Sequence, residues 1–240
     1  MSNQIKYSLA GFCMGVAELI PGISGATVAV IFKIYPNLMT ILSQLRVKNL
    51  TLNIQSLSQT FQFNVSLPLI LSMKIAIIFC SKGINYLLIN FEESFLSSLG
   101  LLMILLSIYI INFFQGVSQN KKLLIFLSLG IVIGFVLQDL NIGSGTISTP
   151  YLFLSGILAF SFFLIPGISG SAMLVVLGVY GPVIQAVANF NLNLLAPFGI
   201  GCLISLLLLP KVVLSIYSSH EQKLMYVFSG LIFSSGIFLL

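Results

Sequence analysis

Apolar residues fill this chain in long blocks, and two of the blocks are interrupted by the same seven letters. Leu19 to Gly25 reads Leu-Ile-Pro-Gly-Ile-Ser-Gly, and Leu164 to Gly170 repeats it unchanged. Proline cannot donate a hydrogen bond to the preceding turn, and glycine lets the backbone bend and approach a neighbour closely. Serine is a preferred N-cap, so each interruption is expected to end one helix and open another. A helix start presents free N–H groups and the positive end of the helix dipole, which suits a phosphate or a carboxylate.

The first interrupted block covers residues 8 to 36, and each half is shorter than the roughly 20 residues a helix needs to cross a bilayer. Leu38, Ile41, Leu42 and Leu45 follow at helical spacing beside Arg46 and Lys48, the pattern of a short helix lying on a membrane surface. Residues 49 to 66, rich in Ser, Thr, Asn and Gln, read as a polar loop. Leu67 to Asn90 is a full span that holds Lys74 and Lys82, and Glu92 and Glu93 close it. Ser94 to Phe114 is a second span. Leu123 to Leu140 is a third, ending at Asp139, with loops at Gln115 to Lys122 and Asn141 to Pro150. The second interrupted block runs from Tyr151 to Phe190. Leu194 to Tyr217 spans again, His220 to Lys223 is a turn, and Leu224 to Leu240 is a short final span.

The blocks repeat as a set. After each interruption comes an apolar run to a tyrosine (Tyr35, Tyr180), then a span opened near a proline (Pro68, Pro197) that carries a lysine (Lys82, Lys211). A glycine opens the next span (Gly100, Gly230). The chain therefore reads as repeat one at 8–114, a linking transmembrane helix at 123–140, and repeat two at 151–240.

Composition settles the class. The chain is 58% hydrophobic and 6% charged, with a mean hydropathy of +1.13, whereas a soluble domain carries about 25% charged residues. Nothing here covers a water-facing surface, so the fold class is an all-α polytopic membrane protein. Ten basic residues spread over 240 form no patch for nucleic acid. Cys13, Cys80 and Cys202 stand singly in apolar segments, without metal or redox spacing, and no cofactor is implied. Lys6 followed by apolar residues looks like a signal peptide, but Glu18 and Pro21 interrupt the run and no cleavage site follows.

The charges choose the topology. If each interrupted block crossed the membrane, Arg46, Lys48, Lys121 and Lys122 would oppose Lys6, Lys211 and Lys223, and orientation would be nearly unsignalled. If each block is a re-entrant hairpin, all of these and Lys33 lie on one face, and Glu92, Glu93 and Asp139 on the other. The second arrangement obeys the positive-inside rule and puts the N-terminus in the cytoplasm. Three crossings separate the hairpins, so they enter from opposite faces and the repeats are inverted. Both tips meet near the midplane, where irregular backbone is tolerated only if it lines a cavity or is buried in protein. That is the layout of a secondary transporter.

At these residues the chain resembles the bacterial polyprenyl-phosphate (undecaprenyl-phosphate) transporters, long known as a membrane family of unknown function. The resemblance rests on Gly15 to Thr27, on Ile165 to Ser171 and on Leu177-Gly178-Val179-Tyr180, and it covers essentially the whole chain. The family usually has Gly where Ala26 stands and often Asp where Glu18 stands. It commonly has an acid after the tyrosine, where Pro36 and Gly181 stand here, so no such acid is given a role. The resemblance implies a flippase in the bacterial cytoplasmic (inner) membrane. It would return undecaprenyl phosphate from the outer to the inner leaflet for reuse in envelope synthesis.

The site expected on that reading is a phosphate monoester held by Gly22, Ser24, Gly25 and Thr27 of one tip and Gly167, Ser169, Gly170 and Ser171 of the other. Glu18 lies one turn before a tip, costly if ionised and unpaired. Lys74 lies roughly 10 Å into its span, at a similar depth, so the two are expected to form an ion pair or a proton relay. Lys82 is placed to attract headgroups at the outer face; Lys33 and Lys211 are expected to snorkel. The alternatives are a small-anion carrier or channel, which the same helix starts would serve, and an intramembrane lipid phosphatase or acyltransferase. The enzyme needs an activated nucleophile or a metal. The one histidine, His220, lies in a turn away from Ser24 and Ser169.

Overall fold

The computed structural model describes residues 3–46, 49, 53–111, 121–140 and 148–240, and all regular structure among them is helical. The chain begins with α1 (Asn3–Ala17), α2 (Gly25–Ile31), α3 (Tyr35–Ser43), α4 (Ile54–Thr60), α5 (Phe63–Asn90) and α6 (Glu92–Ile110). Then come α7 (Leu124–Asp139), α8 (Thr149–Leu164), α9 (Gly170–Val176), α10 (Tyr180–Ala188) and α11 (Leu192–Phe238). Lys48, the last residues of the expected second span (112–114), and 115–120 and 141–147 of the two expected loops lie outside the described residues.

Among the described residues four helical stretches are long and apolar enough to cross a membrane: α5, α6, Lys121–Asp139 and α11. The chain is a multi-pass membrane protein. α11, at 47 residues, is too long for one crossing, and His220 breaks it with φ −143° and ψ 42°. Val213 before the break and Phe228 after it join one buried cluster, so the two limbs fold back on each other, as the turn expected at His220 requires. Large side chains such as Phe79 (78% exposed) and Ile78 (70%) face outward, as lipid-facing residues do.

Small residues let helices touch along their backbones. Gly11 of α1 packs on the Leu69 carbonyl of α5, and Gly15 on Met73 and Ala76, so α1 and α5 run parallel. Gly156 of α8 packs on the Phe198 carbonyl, and further along both helices Ser161 Oγ lies 2.9 Å from Ser205 Oγ, so α8 runs parallel to the first limb of α11. The glycines before the two motifs thus make similar close contacts. The short helices after them are also alike in length and spacing: α2 and α3 span Gly25–Ile31 and Tyr35–Ser43, α9 and α10 Gly170–Val176 and Tyr180–Ala188. Both short helices end in the same left-handed turn. Ile34 N–H donates to the Ala29 carbonyl and Val179 N–H to the Leu174 carbonyl, with Lys33 (φ 56°) and Gly178 (φ 67°) in the left-handed position.

Two local readings change. The polar stretch 49–66 is not a loop throughout: Asn53 Oδ1 accepts from Gln55 and Ser56 N–H at 3.0 and 3.3 Å and opens α4, and α5 starts at Phe63. Ser and Gln are tolerated in a helix once a cap is present, so polarity alone did not define a loop. The amphipathic helix after the first hairpin is α3. Its deepest face is Tyr35, Met39 and Ser43, and Leu38 and Leu42 pack against the buried cluster. Thr149 and Pro150, expected in a loop, form the first turn of α8 behind the Ser148 cap.

Candidate functional site

Each interrupted block returns to the end where it began. Asn37, just beyond the first hairpin, donates to the Tyr7 hydroxyl near the start of α1 at 3.2 Å. In the second, Tyr151 at the start of α8 donates its hydroxyl to the Leu177 carbonyl at the end of α9 at 2.6 Å. The tips touch. Gly167 N–H donates to Thr27 Oγ1 at 2.8 Å, Ser24 Oγ donates to the Phe163 carbonyl at 3.4 Å, and the Tyr35 hydroxyl donates to the Leu164 carbonyl at 3.0 Å.

The two copies of the motif turn with the same backbone: Gly22 and Gly167 sit at φ 82° and 89°, where a side chain is strained. Their surroundings differ. In the first tip, Glu18 Oε1 accepts from Gly25 N–H at 2.8 Å, and Ser24 Oγ accepts from Ala26 N–H at 3.2 Å. Ser24 and Thr27 are 2% and 1% exposed, so the start of α2 is closed by the protein's own side chains. In the second tip, Phe163 occupies the place before the motif that Glu18 occupies in the first. Ser169 makes no capping bond; its hydroxyl pairs with Ser171 Oγ at 2.7 Å. Ser171 is exposed at the edge of a cavity.

That cavity, about 690 Å³, is lined by Glu18, Pro21, Gly22, Gln138, Ser171 and Tyr180 among others. A small recess of about 50 Å³ adjoins it, with Gly22, Ser169, Gln138 and Ser235. Gln138 Nε2 donates to Ser235 Oγ at 3.2 Å, and its Oε1 is buried without a partner. Ser235 in turn donates to the Gly167 carbonyl. A second cavity, about 290 Å³ and almost wholly apolar, runs along α1 from Tyr7 past Met14 to Glu18, walled by Leu69, Phe160 and Phe163.

The structure thus gathers the eight expected tip residues but aims them differently. Gly22, Ser169 and Ser171 border a cavity, whereas Ser24, Gly25 and Thr27 are spent on contacts within and between the tips. Gly167 and Gly170 carry close packing: a Cβ would stand 2.6 Å from Ile232 N at the first and 2.8 Å from the Phe163 Cβ at the second. Glu18 and Lys74 are not brought together. α5 meets α1 through Leu69, Met73 and Ala76, which turns Lys74 outward beside the exposed Leu71 and Ile75. Lys82 lies in an open groove with Asn85 and Leu19, and Leu19 also borders the larger cavity. Gln138 and Ser235 were not singled out by sequence. Their signal was faint: one amide and one hydroxyl near the ends of apolar spans.

A family model described as VCA0040-like, undecaprenyl phosphate translocase-like, matches residues 14–238. A curated protein of Vibrio cholerae serotype O1, named polyprenyl-phosphate transporter, is 31% identical over 213 residues, covering 85% of this chain and 67% of the relative. One of Staphylococcus aureus with the same name is 29% identical over 245 residues, covering 95% of this chain and 83% of the relative. No solved structure matches the chain. With the motif-bearing hairpins inside the matched region, the chain belongs to the undecaprenyl phosphate translocase-like family.

Proposed function

We propose that this protein is a flippase that moves polyprenyl phosphate across the bacterial cytoplasmic membrane so that the carrier lipid is used again. Both relatives are named polyprenyl-phosphate transporters, which supports the substrate class. The observation that carries the mechanism is the junction of the tips, where Gly167 N–H meets Thr27 Oγ1 beside a cavity edged by Ser171, Ser169 and Gln138. Irregular backbone at membrane depth has to be buried or line a cavity, and here it does both.

On this reading the phosphate sits mainly at the second tip. The Ser171 and Ser169 hydroxyls donate to it, and Gln138 and Gly22 edge its place. The tail stays in lipid through a lateral opening, and Lys82 draws headgroups toward the Leu19 edge of the cavity. The two repeats are inverted. Helix directions support this: α1 runs with α5, α6 returns, and the last limb of α11 runs against α6, since Gly100 lies on Gly236 and Gly236 on Ile104. The first limb folds back from that, and α8 runs with it, opposite to α1. A small-anion carrier would use the same polar groups, but the apolar slot reaching Glu18 fits an isoprenoid lipid better.

The test is reconstitution into vesicles with a fluorescent polyprenyl phosphate and a quencher confined to the outside. Protein-dependent quenching of the inner-leaflet pool, competed by unlabelled polyprenyl phosphate and not by inorganic phosphate, supports the proposal. Equal competition by inorganic phosphate points to the small-anion carrier, and release of phosphate from the lipid points to an enzyme.

A further inference from the structure

Glu18 lines both the apolar slot and the larger cavity, and it is the one charged side chain that borders either among the described residues. The two spaces open toward opposite ends of the molecule. The slot reaches Tyr7 near the start of α1 and Ser66 near the start of α5. The cavity reaches Leu96 near the start of α6, Gln138 at the end of α7 and Phe238 at the end of α11. α6 begins where α5 ends, so the two mouths are a helix length apart. Between them stands one carboxylate. It is tethered by a hydrogen bond from Gly25 N–H at 2.8 Å.

We infer that Glu18 is an anionic gate between two half-pathways, and that a lipid phosphate passes only when this carboxylate leaves Gly25. The inference rests on the transport reading and adds to it the residue that separates its two sides. Three observations carry it. The side chain is shared by the walls of both cavities, so moving it joins them. Position 25 is glycine, and a Cβ there would stand 2.7 Å from Glu18 Oε1, so the backbone leaves room for this carboxylate and no more. Among the described residues no lysine or arginine borders either space, so the carboxylate's field acts on an incoming phosphate without one of these cations between them; Lys82 lies beyond Leu19 in the neighbouring groove. Two anions in one poorly hydrated site repel strongly. A headgroup and the tethered carboxylate are therefore competitors.

The test is binding of farnesyl phosphate, with farnesol as the uncharged control, to the full chain in detergent micelles. Glu18→Gln keeps the shape and the acceptor for Gly25 N–H and removes the charge; Glu18→Ala removes the partition as well. Both variants are expected to bind farnesyl phosphate about tenfold more tightly than the wild type, with farnesol binding unchanged. Monodisperse elution of either one suffices to read the result. Unchanged or weaker farnesyl phosphate binding by a folded variant, with the wild type binding, overturns the gate and leaves the transport reading standing. Wild-type protein that binds neither compound overturns both.

Discussion

The two hairpin tips share seven letters and one backbone turn, yet they are not equivalent. The first is shut by its own chain: Glu18 on Gly25, Ser24 on Ala26, Thr27 against the other tip. The second leaves the Ser169–Ser171 pair beside a cavity. The residue before the motif makes the difference, since a carboxylate reaches a backbone N–H and the phenyl ring of Phe163 does not. A repeated motif thus supplies a scaffold in one copy and a polar edge in the other.

The largest effect should come from Gly167→Val. The position needs φ 89°, and a Cβ would press on Ile232 N and the Leu231 carbonyl carbon at 2.6 Å, backbone atoms that cannot swing aside. The expected cost is about 3 kcal/mol or more, read as loss of monodisperse protein. The matching Gly22→Val meets only the Leu239 side chain, at 3.2 Å, so more folded protein should survive. Next is Ser171→Leu, an exposed change that leaves the fold intact but removes a phosphate donor. Vesicle transport should fall about tenfold while thermal stability stays level. Ser24→Leu, at a position 2% exposed, should reverse that pattern and lower stability first.

Thr27→Val keeps the volume of a side chain that is 1% exposed and strips the acceptor from Gly167 N–H. Leaving that buried donor unpaired should cost about 1–3 kcal/mol, measured by denaturation in detergent. The smallest effect is a swap at the helix ends. Lys33 holds a left-handed backbone that the second copy gives to Gly178, so Lys33→Gly should stabilise by up to about 1 kcal/mol. Gly178→Lys should destabilise by a similar amount.

Much of this was legible in the letters. Pro-Gly-Ile-Ser-Gly announced both turns, apolar length announced the spans, and His220 with its polar neighbours announced the break in α11. The side-chain directions were not legible. α5 is apolar on its lipid face as well as its packed face, so no periodicity reveals that Lys74 points outward. Identical motifs likewise conceal which serine faces a cavity, because that depends on Glu18, Phe163 and the last limb of α11. The Gln138–Ser235 pair arises only when α7 and α11 are packed together.

Inversion of the two hairpins is the claim on which the rest depends, and sidedness tests it most directly. In a chain freed of Cys13, Cys80 and Cys202, single cysteines at Arg46 and Asn189, both exposed, would be labelled in intact cells with an impermeant maleimide. Inverted repeats predict that Asn189→Cys is labelled from outside and Arg46→Cys only after the cells are opened. Labelling of both from the same side would contradict the account.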